Sequence, residues 1–218
     1  TRKRYWARSL AGWPNVSKAR PNSAHTALAR LEATTGLELL ITQNVDRLHQ
    51  QAGSRKVIDL HGRLDRVICL DCDELTERDH LQLWLHRHNT RETTANVGVR
   101  PDGDSDLDES YVEDFQVPHC LNCGGTLIPD VVFYGGTVPR ARVESCIAAL
   151  DRADALLVIG SSLQVFSGYR FCRHAQANGK PIAILNKGST RADSIATLKI
   201  SAAAEEILPT LERVLNPN

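Results

Sequence analysis

Two pairs of cysteines constrain the fold of this chain more than any other feature. Each pair has the spacing C-x-x-C, in Cys69-Leu70-Asp71-Cys72 and in Cys120-Leu121-Asn122-Cys123. Cysteines at this spacing can direct four sulfurs from two tight turns toward one tetrahedral zinc ion. Four thiolate ligands leave zinc no open coordination position, so the predicted zinc is structural rather than catalytic. The competing interpretation is four unrelated buried cysteines.

The composition is that of an ordinary globular chain. Apolar residues make up 42% of the 218 residues and charged residues 24%, and the formal net charge is zero. That balance provides no basic surface for nucleic acid, and no apolar run approaches the roughly 20 residues that cross a membrane. We therefore expect neither nucleic acid nor a membrane as a partner. Because we see no secretory signal, we expect the paired cysteines to bind a metal rather than form disulfides.

Four short aliphatic runs without polar alternation predict a parallel β-sheet that is covered on both faces. Helix-like segments separate them, and a strand–helix–strand order favours right-handed βαβ units. The predicted strands are Leu37–Thr42, Val57–Leu60, Ala155–Gly160 and Pro181–Asn186, and the predicted helices are Ala24–Thr34, Pro139–Arg152 and Gly168–Ala177. The sequence therefore predicts an α/β fold class.

Small or hydrogen-bonding residues follow each predicted strand. In an open parallel sheet, ligands bind just beyond the carboxyl ends of the strands. Glycine and serine there let backbone amides and hydroxyls approach a phosphate or a ribose closely. The four segments are Gln43-Asn44-Val45-Asp46, His61-Gly62, Gly160-Ser161-Ser162 and Asn186-Lys187-Gly188. Together they predict a nucleotide site, whereas each segment alone is also typical of an ordinary turn or cap.

His61 is the candidate general base of that site. An imidazole has a near-neutral pKa, which suits a group that must accept a proton at physiological pH. His61 follows a predicted strand directly and precedes Gly62, so it is expected at the ligand edge of the sheet. The alternative is a histidine that is structural or merely exposed.

The ordered set of motifs resembles the sirtuin family over nearly the whole chain. Finer matches resemble the class II sirtuins and, among animal forms, the mitochondrial sirtuin 4 type. The family motifs are Thr42–His49, Leu60–Gly62, the two cysteine pairs, Gly160–Leu163 and Ile184–Asn186, and the finer matches are Tyr5–Arg8, Pro129–Gly135, Gln164–Arg170 and Pro181–Gly188. The resemblance implies a Rossmann-like parallel sheet with a small zinc-binding module inserted.

The resemblance also implies an NAD-dependent protein-lysine deacylase. In that reaction the carbonyl oxygen of an acylated lysine attacks the ribose of NAD, nicotinamide leaves, and the acyl group moves to ADP-ribose. His61 is then the base that deprotonates a ribose hydroxyl, and Asn44 is the second catalytic residue. The implied NAD contacts are Gln43, Asn44, Val45, Asp46, Gly160, Ser161, Ser162, Asn186, Lys187, Gly188 and Ala204.

A substrate cleft is implied as well. The acyl-lysine peptide is expected along Val131–Tyr134 and Gln164–Ser167, where it would add main-chain hydrogen bonds as an extra strand. Tyr5 and Arg8 are spaced to share a helix face, and a phenol beside a guanidinium suits a carboxylate. We therefore predict a preference for acyl groups that end in a carboxylate. The alternative is that these two side chains contact no substrate.

The expected domain boundaries follow from these assignments. We predict a Rossmann-like NAD-binding domain from residues 1–64 and 129–218, in which residues 1–30 are partly helical and near the acyl pocket. Residues 65–128 are predicted to form the zinc-binding module, with a long polar loop insertion.

Two features depart from the family pattern. Relatives begin with a strand and a loop containing Gly-Ala-Gly, and we expect this chain to lack both. The chain begins at Thr1 and contains no methionine, from which we expect a processed or incomplete sequence. Relatives also carry an acidic residue where this chain has Gly136.

Two other functions remain open. A protein mono-ADP-ribosyltransferase would use the same NAD site, and an inactive zinc and Rossmann-like binding module would need no reactive His61. We expect the mitochondrial matrix as the compartment of an animal protein and the cytoplasm as that of a bacterial one.

Overall fold

The computed structural model of the protein describes residues 1–34, 36–89 and 112–216, and its architecture divides into two units. One unit contains Thr1–Ala19 and Gly62–Val131, and we call it the cysteine unit. The other contains Arg20–His61 and Val132–Asn218, and we call it the parallel-sheet unit. No helix in the described ranges is long and apolar enough to cross a membrane.

The predicted strands and helices are present, with ends that differ by three residues or fewer. In chain order, the helices are α1 (Arg2–Lys18), α2 (Ser23–Thr34), α3 (Leu48–Gln51), α4 (Arg78–His88), α5 (Arg140–Arg152), α6 (Phe166–Ala177) and α7 (Ala204–Leu215), with a 3-10 helix at Asp193–Ile195. The strands are β1 (Leu40–Thr42), β2 (Val57–Asp59), β3 (Gly62–Cys69), β4 (Leu75–Glu77), β5 (Leu127–Val131), β6 (Leu156–Ile159), β7 (Ile182–Leu185) and β8 (Leu198–Ile200).

In the parallel-sheet unit, every paired strand runs parallel to its neighbour. β1 pairs with β2, and β6, β7 and β8 form a three-stranded sheet in that order. On one face, α6 packs Phe171 against Ile184 of β7. On the other face, α2 and α7 pack Leu31 and Leu208 against Leu185. Helices on both faces exclude water from the aliphatic strands, and this arrangement confirms the predicted α/β fold class.

The two groups of parallel strands contribute to the same two cores. Ile41 of β1 packs against the core that contains Val158 and Ile184, whereas Leu40 and Ile159 pack against the core on the opposite face. Successive residues of a strand point to opposite faces, so this alternation places both groups in one layered Rossmann-like arrangement.

The remaining two cysteines lie in the core between the sheet and its helices. Cys146 of α5 and Cys172 of α6 are fully buried in one apolar cluster. Burial raises the pKa of each thiol to about 11, so both stay protonated and unreactive at neutral pH.

In the cysteine unit, β3 is the central strand of an antiparallel sheet ordered β4-β3-β5. Its apolar core contains Trp6 of α1, Val67 of β3 and Leu85 of α4. The two helices are also joined by polar contacts, since Trp13 Nε1 donates to an Asp79 carboxylate oxygen at 2.8 Å.

Two expectations about this unit differ from the structure. Residues 65–128 were expected to include a long polar loop insertion, but β4 and α4 occupy 75–88, because Leu81 and Leu85 at helical spacing bury one face of an otherwise polar helix. Residues 1–19 were expected with the large domain, but α1 buries Trp6 and Leu10 in the cysteine unit. The rest of the predicted loop insertion, residues 90–111, lies outside the described residues.

Candidate active site and metal centre

The four paired cysteines converge on one point of the cysteine unit. The Sγ atoms of Cys69 and Cys123 are 3.5 Å apart, and those of Cys72 and Cys120 are 3.7 Å apart. All four sulfurs lie within 4.8 Å of one another. A tetrahedral zinc ion with Zn–S bonds of about 2.3 Å requires sulfurs about 3.8 Å apart. The four residues therefore fit one structural zinc ion.

The two turns that carry these cysteines share one geometry. In the first turn the N–H of Asp73 donates to the carbonyl of Cys69 at 3.1 Å, and in the second the N–H of Gly124 donates to the carbonyl of Cys120 at 2.8 Å. Asp73 and Gly124 both adopt a positive φ, of 57° and 74°. Each turn therefore tightens over the same span and presents both of its sulfurs on one side.

Backbone N–H groups stabilise the sulfurs as thiolates. The N–H groups of Asp71 and Gly125 donate to the sulfurs of Cys69 and Cys123, each at 3.4 Å. A hydrogen bond from the backbone of Cys123 is the largest cause that lowers the pKa of the Cys120 thiol to about 7. Because zinc binds the thiolate, this hydrogen bond favours the ligand form of Cys120. Hydrogen bonding with the Cys72 side chain instead raises the pKa of the Cys123 thiol to about 12, and its backbone contact with Gly125 opposes that rise.

His61 lies two residues beyond β2 in the parallel-sheet unit, where two hydrogen bonds fix its ring. Its Nδ1 is 3.1 Å from the carbonyl oxygen of Gln43, and its Nε2 is 2.7 Å from Oγ of Ser167. A carbonyl oxygen only accepts, so Nδ1 carries the hydrogen of the neutral ring. Nε2 then holds the lone pair and accepts a hydrogen bond from the Ser167 hydroxyl. The imidazole is therefore oriented to act as a base through Nε2.

The surroundings of His61 favour its neutral form. Burial is the largest cause and lowers the pKa of the ring from its ordinary value of 6.5. The hydrogen bond with Gln43 raises the pKa, and the positive charge of Arg142 lowers it. Since only the neutral imidazole can accept a proton, the net lowering keeps the base available at physiological pH.

Gln43 links the carboxyl ends of two strands. Its Nε2 donates to Oγ of Ser161, just beyond β6, at 2.9 Å. Gly168 of α6 leaves room for the Gln43 amide, because a Cβ there would lie 2.9 Å from Gln43 Cδ. The structure thus brings Gln43, Ser161 and His61 together at the carboxyl ends of β1, β6 and β2. Ligands bind at this edge of an open parallel sheet.

The residues that follow β6 and β7 lie at the same edge of the sheet. The N–H of Gly160 donates to the carbonyl of Leu185 at 2.9 Å, and the side chain of Asn186 donates to the carbonyl of Gly188 at 2.9 Å. Gly160 has a φ of 59°, and no described atom outside its immediate neighbours lies within 4 Å of its Cβ position. Ser162 and Lys187 are exposed beside these turns. Amide, hydroxyl and ammonium donors around open space fit the phosphates and riboses of NAD.

Three further predicted NAD residues lie in the segment after β1. Asn44 is exposed, and its N–H donates to Oγ1 of Thr42 at 3.1 Å. Asp46 accepts a hydrogen bond from the N–H of Leu48 at 3.0 Å, so its carboxylate holds the start of α3. Val45 is partly buried between them.

The last predicted NAD residue, Ala204, lies apart from this segment at the start of α7. It packs against the core that contains Leu208. Its backbone, rather than its methyl group, is the part that can offer a polar contact to a ligand.

The predicted peptide segment Val131–Tyr134 begins at the last residue of β5. Val131 ends β5, and the N–H of Val132 donates to the carbonyl of His61 at 2.8 Å. Phe133 and Tyr134 are exposed, at 48% and 100% of their surface. The N–H of Gly136 donates to the carbonyl of Phe133 at 2.8 Å, and a Cβ on Gly136 would lie 2.9 Å from that oxygen. A side chain at this position would press against the Phe133 carbonyl, so the tight turn favours glycine.

The two residues predicted to select the acyl group lie on α1, in the cysteine unit. Tyr5 and Arg8 are both partly buried. The ring of Tyr5 packs edge-on against Trp6, with ring centroids 5.1 Å apart. Tyr5 and Arg8 are three residues apart in a continuous helix, so they share a face, as predicted.

Two residues around His61 were not predicted to act on it. Ser167 contacts its ring, and Arg142 contacts the carbonyl of Leu60, the preceding residue. These contacts join residues 106 and 82 positions apart in the chain. No local sequence pattern signals such contacts, because they depend on how α5 and α6 pack on the sheet.

Comparison with known proteins identifies close relatives. The model of the Sir2 family matches residues 1–167. An NAD-dependent protein deacetylase of Xanthomonas campestris pv. campestris (strain 8004) is 54% identical over 100% of this chain and 74% of the relative. A protein of the same name from Bordetella bronchiseptica is 53% identical over 95% of this chain and 76% of the relative. The human NAD-dependent protein lipoamidase sirtuin-4, mitochondrial, is 50% identical over 97% of this chain and 67% of the relative.

Solved structures give the same assignment. A Sir2 bound to acetylated peptide superposes with a TM-score of 0.73 and 30% identity, over 92% of this chain and 73% of that one. A Sir2 in complex with an inhibitor, 2′-O-acetyl-ADP-ribose and a deacetylated p53 peptide has a TM-score of 0.74 and 30% identity, over 92% and 74% of the two chains.

Proposed function

The chain belongs to the Sir2 family, and from that membership we propose that it is an NAD-dependent protein-lysine deacylase. The single observation that carries the proposal is the hydrogen bonding of His61. Nδ1 faces a carbonyl oxygen and Nε2 faces a hydroxyl, so the ring offers a fixed lone pair at the carboxyl edge of the sheet. A scaffold protein has no chemical need for a base held in this way.

The residues at this edge have separate tasks in the proposed reaction. When bound at this edge, NAD would supply a ribose carbon to which the carbonyl oxygen of the acyl-lysine can bond as nicotinamide leaves. The amides of Gln43 and Asn44 orient the nicotinamide half, and Gly160, Ser161 and Asn186 bind the adenosine half. His61 Nε2 would accept the proton of a ribose hydroxyl whose oxygen bonds to the acyl carbon, while the bond from that carbon to the lysine nitrogen breaks and the amine leaves. In the protein without substrate, the Ser167 hydroxyl donates a hydrogen bond to this Nε2 lone pair. The ribose hydroxyl takes the place of Ser167 in the reaction.

Acyl transfer is favoured over ADP-ribosyl transfer by the chemistry of the relatives. One solved Sir2 carries 2′-O-acetyl-ADP-ribose beside a deacetylated peptide, which are the two products of acyl transfer. The protein substrates we propose here are therefore acylated on lysine. We propose the mitochondrial matrix as the compartment of an animal protein, which the mitochondrial name of the human relative supports, and the cytoplasm as that of a bacterial one.

Product analysis separates the two reactions. The full chain is incubated with NAD and an acyl-lysine peptide, and the products are identified by mass spectrometry. We expect O-acyl-ADP-ribose together with a peptide that has lost its acyl mass. ADP-ribose attached to protein or peptide, without loss of the acyl group, would instead establish the transferase reading.

We further propose that Tyr5 and Arg8 favour acyl groups that end in a carboxylate. The shared helix face and the matched phenol and guanidinium donors support this selection, because a planar guanidinium binds a carboxylate through two parallel hydrogen bonds. The human relative is named a lipoamidase, so the family includes a protein that acts on an acyl chain other than acetyl.

A further inference from the structure

α5 brings a charged side chain to the peptide bond that precedes His61. Nη1 of Arg142 donates to the carbonyl oxygen of Leu60 at 3.1 Å. We infer that Arg142 is a positioning residue for the base, because its guanidinium holds the peptide bond that joins Leu60 to His61. The inference rests on the proposed role of His61 in deacylation.

The carbonyl of Leu60 needs this donor. Leu60 is fully buried, and its N–H already donates to the carbonyl of Thr42 at 2.8 Å. The pairing of β1 with β2 ends at Thr42 and Asp59, so the Leu60 carbonyl lies beyond the strand ladder. A buried carbonyl without a partner is strongly disfavoured. Arg142 satisfies it with a side chain from a helix.

The backbone of His61 is thereby held on both sides. Before it, the Leu60 carbonyl is bound by Arg142, and after it, the His61 carbonyl accepts the N–H of Val132 at 2.8 Å. The ring itself is held by the Gln43 carbonyl and the Ser167 hydroxyl. Loss of Arg142 removes one of these restraints and lets the peptide bond beside the ring reorient.

The charge of Arg142 has a second effect. In the part of the chain that the structure describes, the two groups that hydrogen-bond to the His61 ring are the Gln43 carbonyl and the Ser167 hydroxyl of α6, and α5 contributes Arg142, which binds the preceding peptide bond. The guanidinium is the charged group among these three. It disfavours a second positive charge on the imidazole and so lowers the pKa of His61.

Three substitutions separate the charge from the hydrogen bond. Arg142→Lys keeps the charge, Arg142→Gln keeps a donor for the Leu60 carbonyl without the charge, and Arg142→Met removes both. Arg140→Met is the matched control, because Arg140 lies on the same helix, is exposed, and pairs with Glu144 rather than with the site. The full chain is used in each case.

The first readout does not depend on activity. The His61 Cε1–H signal, identified by its loss in His61→Ala, is titrated by NMR without NAD or peptide. We expect the pKa of His61 to rise in Arg142→Gln and Arg142→Met, and to stay at the wild-type value in Arg142→Lys and Arg140→Met. The same pKa in all of these proteins would overturn the inference. If Arg142→Met does not fold, Arg142→Gln decides.

The second readout is the pH dependence of kcat/KM for formation of the deacylated peptide from NAD and an acyl-lysine peptide, a product that forms only after the step assigned to His61. A raised pKa leaves more of the base protonated, so the acid limb should move to higher pH in Arg142→Gln and Arg142→Met. We expect a several-fold loss at about pH 6 that shrinks as the pH rises. Unchanged profiles in both variants would contradict a positioning role. A shift of the NMR titration in a protein that releases no nicotinamide would refute the proposed function and support the coupling of Arg142 to His61.

Discussion

At the scale of single residues, the direction of one hydrogen bond determines which nitrogen of His61 can act as a base. The Gln43 carbonyl accepts from Nδ1, so the lone pair is fixed on Nε2. The sequence predicted His61 as the candidate base from its place after a strand. The contacts of its ring could not be predicted, because Ser167 reaches it from a helix 106 positions away in the chain.

The acyl preference is tested at the same scale by one substitution. Arg8→Met removes the guanidinium but keeps an unbranched apolar side chain on α1. We expect wild type to turn over a glutaryl peptide with a higher kcat/KM than an acetyl peptide, and Arg8→Met to lose roughly tenfold or more on the glutaryl peptide alone. Steady-state kinetics with the two peptides measure this directly.

Arg2→Met is the control for that substitution, because Arg2 is an exposed residue at the start of the same helix. Equal kcat/KM values for the two peptides, in wild type and in Arg8→Met alike, would rule out selection by Arg8.

At the scale of elements, the paired cysteines were predicted well because two short motifs contain all of the information. Each C-x-x-C turn closes on itself, through the carbonyl of Cys69 in one and the carbonyl of Cys120 in the other. α4 could not be predicted in the same way. Most of its residues are polar, and its buried face consists of Leu81 and Leu85. This face is identified only from the packing of α1 against α4.

At this scale we predict that the four cysteines bind a structural zinc ion. Metal analysis should return about one zinc per chain in the wild type, and Cys120→Ser should lose it. Because a structural zinc supplies much of the folding free energy of a small module, we expect the Tm to fall by about 10 °C or more. Thermal unfolding of the two proteins at equal zinc concentration provides the measurement.

Leu121→Ser is the matched control for the zinc prediction. Leu121 is 89% exposed and adjoins Cys120 in the same turn, so this change should preserve both zinc and Tm. Cys120→Ser protein that contains no zinc yet unfolds at the wild-type temperature would show that the site is not structural.

At the scale of the whole molecule, the α/β class and the meeting of the strand ends followed from the sequence, because aliphatic runs and the residues after them are local signals. The Gln43–Ser161 hydrogen bond joins two of those ends. The placement of α1 did not follow, since its buried face, with Trp6 and Leu10, could equally have packed on a parallel sheet. Membership of the Sir2 family then connects the edge of the sheet to NAD-dependent deacylation.

The central claim is that His61 acts as the base of a deacylase, and it is tested most directly by nicotinamide release from NAD over many turnovers, because each new turnover requires the acyl transfer assigned to His61 to be complete. Wild type, His61→Ala and the control His80→Ala, an exposed histidine of α4, are compared with and without an acyl-lysine peptide. We predict release that requires the peptide, is retained in His80→Ala, and falls by about 10²-fold or more in His61→Ala. Equal peptide-dependent release from His61→Ala and wild type, or no release from the folded wild type, would contradict the account.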